Sequence, residues 1–197
     1  MSKQDRIKWN QRYAEDSYHK NNPVTLVEDW LPRIPVGKAL DVACGAGRNA
    51  IFLAQAGYRV DAIDISAEGL SQARQIAESQ GLSINWIEHD LDQAFQFDTD
   101  YDLIIVLWYV DLALITRLCD CLAAGGYLLC EEHLITDREV TGPISSNYRV
   151  APGALREAVS GVDVLLYEES IEMNSEGDQV ASARVVARKN PGASDQS

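Results

Sequence analysis

Residues 39–47 read ALDVACGAG, a short apolar run holding one acid, Asp41, and ending in two glycines one residue apart. A continuous apolar run of this length suits a strand covered on both faces of a parallel sheet. Glycines at its carboxyl end permit a turn that other residues resist. The stretch Arg48–Ala56 then reads as a helix. Strand, glycine turn and helix form the start of a βαβ unit, which commits the chain to an α/β architecture. The spacing Gly45-x-Gly47-x-x-Ala50, with Asp64 following, also satisfies the dinucleotide fingerprint.

The alternation continues along the chain. YRVDAIDIS reads as a second strand, with Ser66 as the cap of a helix whose Leu70, Ala73, Ile76 and Ala77 share one face, closed by Gly81. INWIEHD reads as a third strand and YDLIIVLWY as a fourth. A helical run over Leu112–Leu122 and a fifth strand, GGYLLCEE, follow. DVLLYEES and ASARVVARK read as two more strands joined by the polar turn NSEGDQ, too short for a crossover, so these two run antiparallel. The pattern predicts a Rossmann-like three-layer α/β/α sandwich around a seven-stranded, mostly parallel sheet with one antiparallel strand at the C-terminal end. Residues 1–35 are expected to form a helical lid segment, 36–189 the main domain and 190–197 a disordered tail.

Charge and composition narrow the function. With 17 basic against 30 acidic residues and a net charge of −13, the chain repels polyanions, which argues against nucleic acid and anionic membranes as partners. No run approaches the roughly 18 apolar residues of a membrane span, and MSKQDRIKWN lacks an apolar signal region, so a cytoplasmic location is expected. Cys44, Cys119, Cys121 and Cys130 show no metal-ligand spacing and read as reduced thiols; no metal is expected.

The acids decide what the glycine turn binds. A pyrophosphate needs positive potential at this place, whereas Asp41 puts a carboxylate there. S-adenosylmethionine, with its sulfonium, α-ammonium and ribose diol, fits better: Asp41 suits the cationic amino-acid end and Asp64 the ribose. Asp90 closes the third strand, where it suits the adenine amine, with Leu91 against the ring. A nicotinamide-dependent reductase has no use for Asp41 and Asp90, and no Tyr-x-x-x-Lys pair supports one.

LDVACGAGRNAIFLAQAGYRVDAIDIS resembles motifs I and II of class I S-adenosylmethionine-dependent methyltransferases, in particular the small bacterial branch similar to tellurite-resistance methyltransferases and, more distantly, thiopurine methyltransferase. The resemblance runs from WNQRY at Trp9–Tyr13 through CLAAGGYLLCEE, which ends in Glu131 and Glu132, and covers roughly residues 8–189. It implies that Gly45 and Gly47 pass under the methionine part of the cofactor, that Asp64 and Ile65 hold ribose and adenine, and that the Leu107 backbone meets the ammonium. Arg48 is implied near the cofactor carboxylate, and Trp9 and Tyr13 in the N-terminal segment that folds over the cofactor. Two stretches depart from the family: Trp108-Tyr109-Val110-Asp111 stands where an R-Y-L-H-like run is expected, and SSNYRVAPGAL replaces an N-P-x-Y-L-L-x-P-G-E-L pattern.

The acceptor half is correspondingly less defined. Methyl transfer from a sulfonium is an in-line displacement that rests largely on alignment. A thiolate or chalcogen oxyanion needs little more, while an oxygen or nitrogen nucleophile needs a base. His133 is the candidate catalytic base, with Glu131, Glu132 and Tyr109 beside it; Arg149 and Arg12 are the candidates for an anionic acceptor, and His19 in the N-terminal segment is a candidate lining residue of the acceptor pocket. No N-P-P-Y or D-P-P-Y run and no target-recognition domain is present, which favours a small-molecule acceptor and a monomer or homodimer. A non-catalytic S-adenosylmethionine-binding module is the main alternative.

Overall fold

The computed structural model describes residues 3–15, 22–173 and 177–192. Seven strands form one sheet: β1 (Lys38–Val42), β2 (Arg59–Asp64), β3 (Asn85–Glu88), β4 (Tyr101–Leu107), β5 (Leu122–His133), β6 (Asp163–Met173) and β7 (Gln179–Arg188). The spatial order is β3-β2-β1-β4-β5-β7-β6. The first five strands run parallel to one another, and β7 lies antiparallel between β5 and β6. The expected seven strands and the single reversal are therefore present. β6 and the four-residue β3 form the two edges.

The helices are α1 (Lys3–Ala14), α2 (Thr25–Trp30), α3 (Arg48–Gln55), α4 (Ala67–Ser79), α5 (Leu112–Asp120) and α6 (Ala154–Ala158). The pleat sends alternate strand residues into two cores. Leu40, Val42, Ile104, Val106, Leu128 and Cys130 pack with α5 and α6, while Ala39, Leu103, Ile105, Leu107 and Leu129 pack with α2, α3 and α4. Leu103, Ile104, Ile105 and Val106 are all fully buried, which explains why β4 is apolar without alternation. Each such side chain contributes about 1.5–3 kcal/mol of burial free energy. That makes the centre of the sheet a rigid platform for the loops at its carboxyl ends.

Local chemistry sets the helix limits. Ser66 Oγ accepts the Gly69 N–H at 3.1 Å and Asp111 Oδ1 accepts the Leu114 N–H at 2.9 Å, capping α4 and α5. Gly81, at φ 69°, turns the chain away after α4. Three expectations change. Ile76 lies at the rim of α4 and is exposed, leaving Leu70, Ala73 and Ala77 as the buried face. The helical run ends at Asp120 rather than Leu122, because Leu122 already pairs with Tyr101 as the first residue of β5. The third strand is limited to Asn85–Glu88, the residues paired with β2. Residues 174–176 of the turn after β6, and 193–197 of the tail, lie outside the described residues.

The segment before β1 contains two helices with different surroundings. Leu26 and Val27 of α2 are buried with α3 in the sheet's core, whereas α1 lies against α4. Buried Asn49 on α3 fixes the start of α2 by accepting the Val24 N–H at 2.9 Å. Replacing Asn49 by Ala strands that donor in the core. The expected cost is about 1–3 kcal/mol, read as a lower urea midpoint at unchanged m-value.

Candidate functional site

The strand order reverses between β1 and β4, and in open α/β sheets the crevice outside the carboxyl ends at such a point is where ligands bind. The turn after β1 occupies it. Ala43, Gly45 and Gly47 adopt left-handed φ values of 56°, 57° and 77°. At Gly47 a methyl group would stand 2.7 Å from Ala73 Cβ and 2.8 Å from the Trp86 ring, so this glycine is required by packing against α4 and β3 as well as by φ. Gly45 faces the other way: a methyl group there would run into the Tyr13 hydroxyl on α1.

Asp64 holds the turn in place. One carboxylate oxygen accepts the Gly45 N–H and the other the Ser66 N–H, each at 2.8 Å. Burial raises its pKa, and these backbone bonds oppose the rise. Asp41 is more exposed to the same penalty. It is 1% exposed, Oδ2 has no hydrogen-bond partner, and its pKa is pushed up to about 8, chiefly by burial; the Ala50 backbone bond and the Arg48 charge pull it back, and Asp64 adds to the rise. A buried carboxyl with an unpaired oxygen is expensive, and a cationic partner removes that expense.

The adenine-side residues lie next to these acids. His89 donates its backbone N–H to the Asp64 carbonyl at 2.9 Å, joining the end of β3 to the end of β2. Asp90 follows directly, half-buried, with Oδ1 accepting the Asp92 N–H at 3.1 Å. Ile65 and Leu91 are both buried. The His89 ring packs on Phe95, 4.7 Å between centroids, and so belongs to the loop after β3. His19 lies outside the described residues.

Helix α1 covers this end of the sheet. Asn10 Oδ1 accepts from Ser66 Oγ at 2.7 Å and from the Glu68 N–H at 3.3 Å, and Gln72 Nε2 donates to the Tyr13 carbonyl at 2.7 Å. Trp9 stacks on Tyr13 at 5.9 Å. On the opposite side Lys8 Nζ sits 5.1 Å over the Tyr148 ring in the segment after β5. Trp9 and Tyr13, one helical turn apart, thus share the face turned toward the glycine turn. Two surface depressions of about 250 and 230 Å³ lie elsewhere, one lined by Leu31, Val36, Phe52 and Tyr58 and the other by Arg74, Leu82, Ile84 and Trp86. The strand ends are instead roofed by α1.

The acceptor-side candidates gather at the ends of β4 and β5. Leu107 is buried, and Trp108 after it takes a left-handed φ of 64°, a strained conformation for a bulky residue. The strain is held by the Trp108 N–H, which donates to the Glu131 carbonyl at 2.8 Å, and by the Tyr109 N–H, which donates to Glu132 Oε1 at 3.0 Å. Tyr109 is pushed far above the usual phenol range by burial and by the charges of Asp111, Asp90, Asp64 and Glu132. His133 closes β5, its ring packed on Trp108 at a tilt of 39° with centroids 4.4 Å apart. Its Nδ1 is buried without a partner, and burial together with Arg149 lowers its pKa to about 4, so the ring is neutral near pH 7. Arg149 spends Nε on the Pro143 carbonyl at 2.8 Å and Nη1 on the Leu134 carbonyl at 2.9 Å, tying down the loop beside His133. Glu131 is engaged by Arg184 at 2.8 Å.

One contributor, Asn10, was not among the residues singled out from sequence, and Glu132 was singled out only as one of the acids beside His133. Asn10 sits in a polar helix face where nothing in the spacing marks it as a contact. Glu132 reads, like Glu131, as an ordinary strand-end acid; both are buried, and what separates them is that Glu131 is paired with Arg184 while Glu132 Oε2 has no hydrogen-bond partner.

The reversed seventh strand, the glycine turn after β1 and the acids at the ends of β1 and β2 place the chain in the Rossmann-like class I methyltransferase fold. A model of "Tellurite resistance protein TehB" matches residues 7–185. The chain belongs to the TehB tellurite-resistance family. It is 25% identical over 192 residues to a protein of Haemophilus influenzae named "Probable S-adenosyl-L-methionine-dependent methyltransferase TehB", covering 89% of this chain and 66% of that one. It is 27% identical over 168 residues to "Hemagglutinin 1" of Eikenella corrodens, covering 79% of this chain and 55% of that protein. The chain thus spans less than two thirds of the length of these two relatives. The crystal structure of TehB from Haemophilus influenzae superposes with a TM-score of 0.70 at 23% identity, over 94% of this chain and 67% of that one.

The buried Asp41 has a consequence for stability. Its folded pKa of about 8 lies above the unfolded value of 3.8, so its contribution is present in full below about pH 4 and is lost as pH rises through 8. An Asp41→Asn variant is expected to lose less stability between pH 5 and pH 8 than the wild type, by a few kcal/mol, in ligand-free urea titrations.

Proposed function

We propose that this chain is an S-adenosylmethionine-dependent methyltransferase acting on a small-molecule acceptor, with a thiol or a chalcogen oxyanion favoured. The observation that carries the reading is the buried, unpartnered Oδ2 of Asp41 beside the glycine turn, a site that a cation completes. Membership of the TehB family and the name of the Haemophilus relative support it. When bound, the cofactor supplies a methyl group on a positively charged sulfur, which leaves as a neutral thioether.

The residues of the site fit that group. Asp41 would face the amino-acid end with Arg48 at the start of α3, and Asp64 and Ile65 the ribose. Asp90 and Leu91 would take the adenine edge. Gly45 and Gly47 keep the turn free of side chains, and Leu107 borders the site at the end of β4. Helix α1, with Trp9 and Tyr13, serves as the lid that excludes water. Alignment supplies most of the catalysis, with reacting atoms held about 3 Å apart. His133, being neutral, can accept a hydrogen bond or a proton through an unprotonated nitrogen, while Tyr109 walls the acceptor space and Arg149 holds the loop that closes it.

Calorimetric titration with S-adenosylhomocysteine tests the cofactor. Micromolar binding is expected, lost in Asp64→Ala and absent for NADH. Binding of NADH without S-adenosylhomocysteine would return the glycine turn to the pyrophosphate reading.

A further inference from the structure

Asp41 and Asp64 lie at the carboxyl ends of the paired strands β1 and β2, and their surroundings treat the two side chains unequally. Asp64 accepts backbone N–H groups from Gly45, Ser66 and Ile65, a set of donors that favours the charged form of a carboxyl. Asp41 has the Ala50 N–H alone, and its Oδ2 is buried with no partner. Both side chains are buried. Without a ligand the donors at this end of the sheet suffice for one negative charge and not for two, so the proton resides on Asp41.

The groups that face Asp41 are uneven in sign. Its register partners, Ala62 on β2 and Ile105 on β4, carry no charge. From α3 the Arg48 charge pulls Asp41 toward ionisation, and from β2 the Asp64 charge opposes it. The Cys44 thiol in the turn is kept neutral by burial and by both acids, so the field of Asp41 reaches the turn itself. The Tyr13 hydroxyl of α1 stands over Gly45, and the Tyr109 phenol after β4 stays uncharged. With burial outweighing Arg48, the pKa of Asp41 settles at about 8. A second positive charge on the turn would shift that balance.

We propose that the cofactor binds in exchange for a proton: as its ammonium end arrives on the glycine turn, the Asp41 carboxyl releases its proton to solvent and becomes the charged partner of that end. This rests on the methyltransferase reading and gives its cofactor site a response to pH. In the exchange the carboxyl O–H bond breaks, its electron pair stays on the oxygen, and the proton leaves to bulk buffer. One positive charge replaces another, so the buried region gains no net charge. The ammonium need not touch Oδ2, because an opposite charge within about 4–6 Å already favours the carboxylate. Acid therefore competes with the cofactor. S-adenosylmethionine and S-adenosylhomocysteine carry the same ammonium, so the exchange governs release of the spent cofactor as well as capture of the fresh one.

The test is calorimetric titration with S-adenosylhomocysteine at pH 7 in phosphate and in Tris, whose different ionisation heats report the protons released on binding. The wild type is expected to release more than about half a proton, and to bind about tenfold more tightly at pH 7 than at pH 6. Asp41→Asn keeps the shape of the side chain and cannot ionise; it is expected to bind with no proton release and with the same affinity at both pH values. A histidine titrating elsewhere would leave its signal in the variant. 5′-Methylthioadenosine, the same nucleoside thioether without the amino-acid end, is expected to bind the wild type without proton release. Binding of S-adenosylhomocysteine by the wild type with no proton released, release that persists in Asp41→Asn, or equal release with 5′-methylthioadenosine overturns the proposal while leaving the methyltransferase reading in place. No binding of S-adenosylhomocysteine anywhere between pH 6 and pH 8 overturns both. If the variant does not fold, the comparison of the two ligands on the wild type decides.

Discussion

The site depends on one carboxylate bridging two turns. Asp64 joins the Gly45 N–H of the first βα turn to the Ser66 N–H of the second, both at 2.8 Å. Ser66 in turn caps α4 and meets Asn10 of α1. The glycine turn, the α4 N-terminus and the covering helix are therefore positioned through a single side chain. Buried charge-assisted hydrogen bonds of this kind are short and strong, and losing one partner strands the others.

The same region carries the chain's unfavourable features. Asp41 and Glu132 each bury an oxygen with no partner, and Ala43 and Trp108 hold left-handed backbone at the ends of β1 and β4. None of these stabilises a ligand-free fold. They are supported by the fully buried centre of the sheet, where β4 and β5 supply a rigid base. Packing in the middle of the molecule thus offsets polar strain at one end of it.

Much of this was legible in the sequence. The apolar run ending in glycines marked β1 and its turn; Asp41 and Asp64 sit at strand ends directly after short apolar runs, and Asp90 lies two residues past the end of β3. The short connection near the C-terminus required β7 to reverse. Ile76 was misplaced because a residue at the rim of an apolar stripe keeps the helical spacing without being covered. The overrun of α5 into Leu122 came from an apolar run that suits helix and strand equally. The role of Asn10, the orphan oxygen of Glu132 and the loop-tethering bonds of Arg149 depend on residues brought together from distant positions, and no local pattern encodes them.

The two edges of the sheet differ in a way that bears on how the protein behaves at high concentration. β3 offers only four residues to an incoming strand, whereas β6 is 11 residues long and pairs on one side alone. A long free edge is a template for intermolecular pairing unless something discourages it. On β6 the acids Glu168, Glu169 and Glu172 do so, adding like charge to a chain whose net charge is already −13. The acidity that repels polyanions therefore also keeps neighbouring copies from extending the sheet into an aggregate.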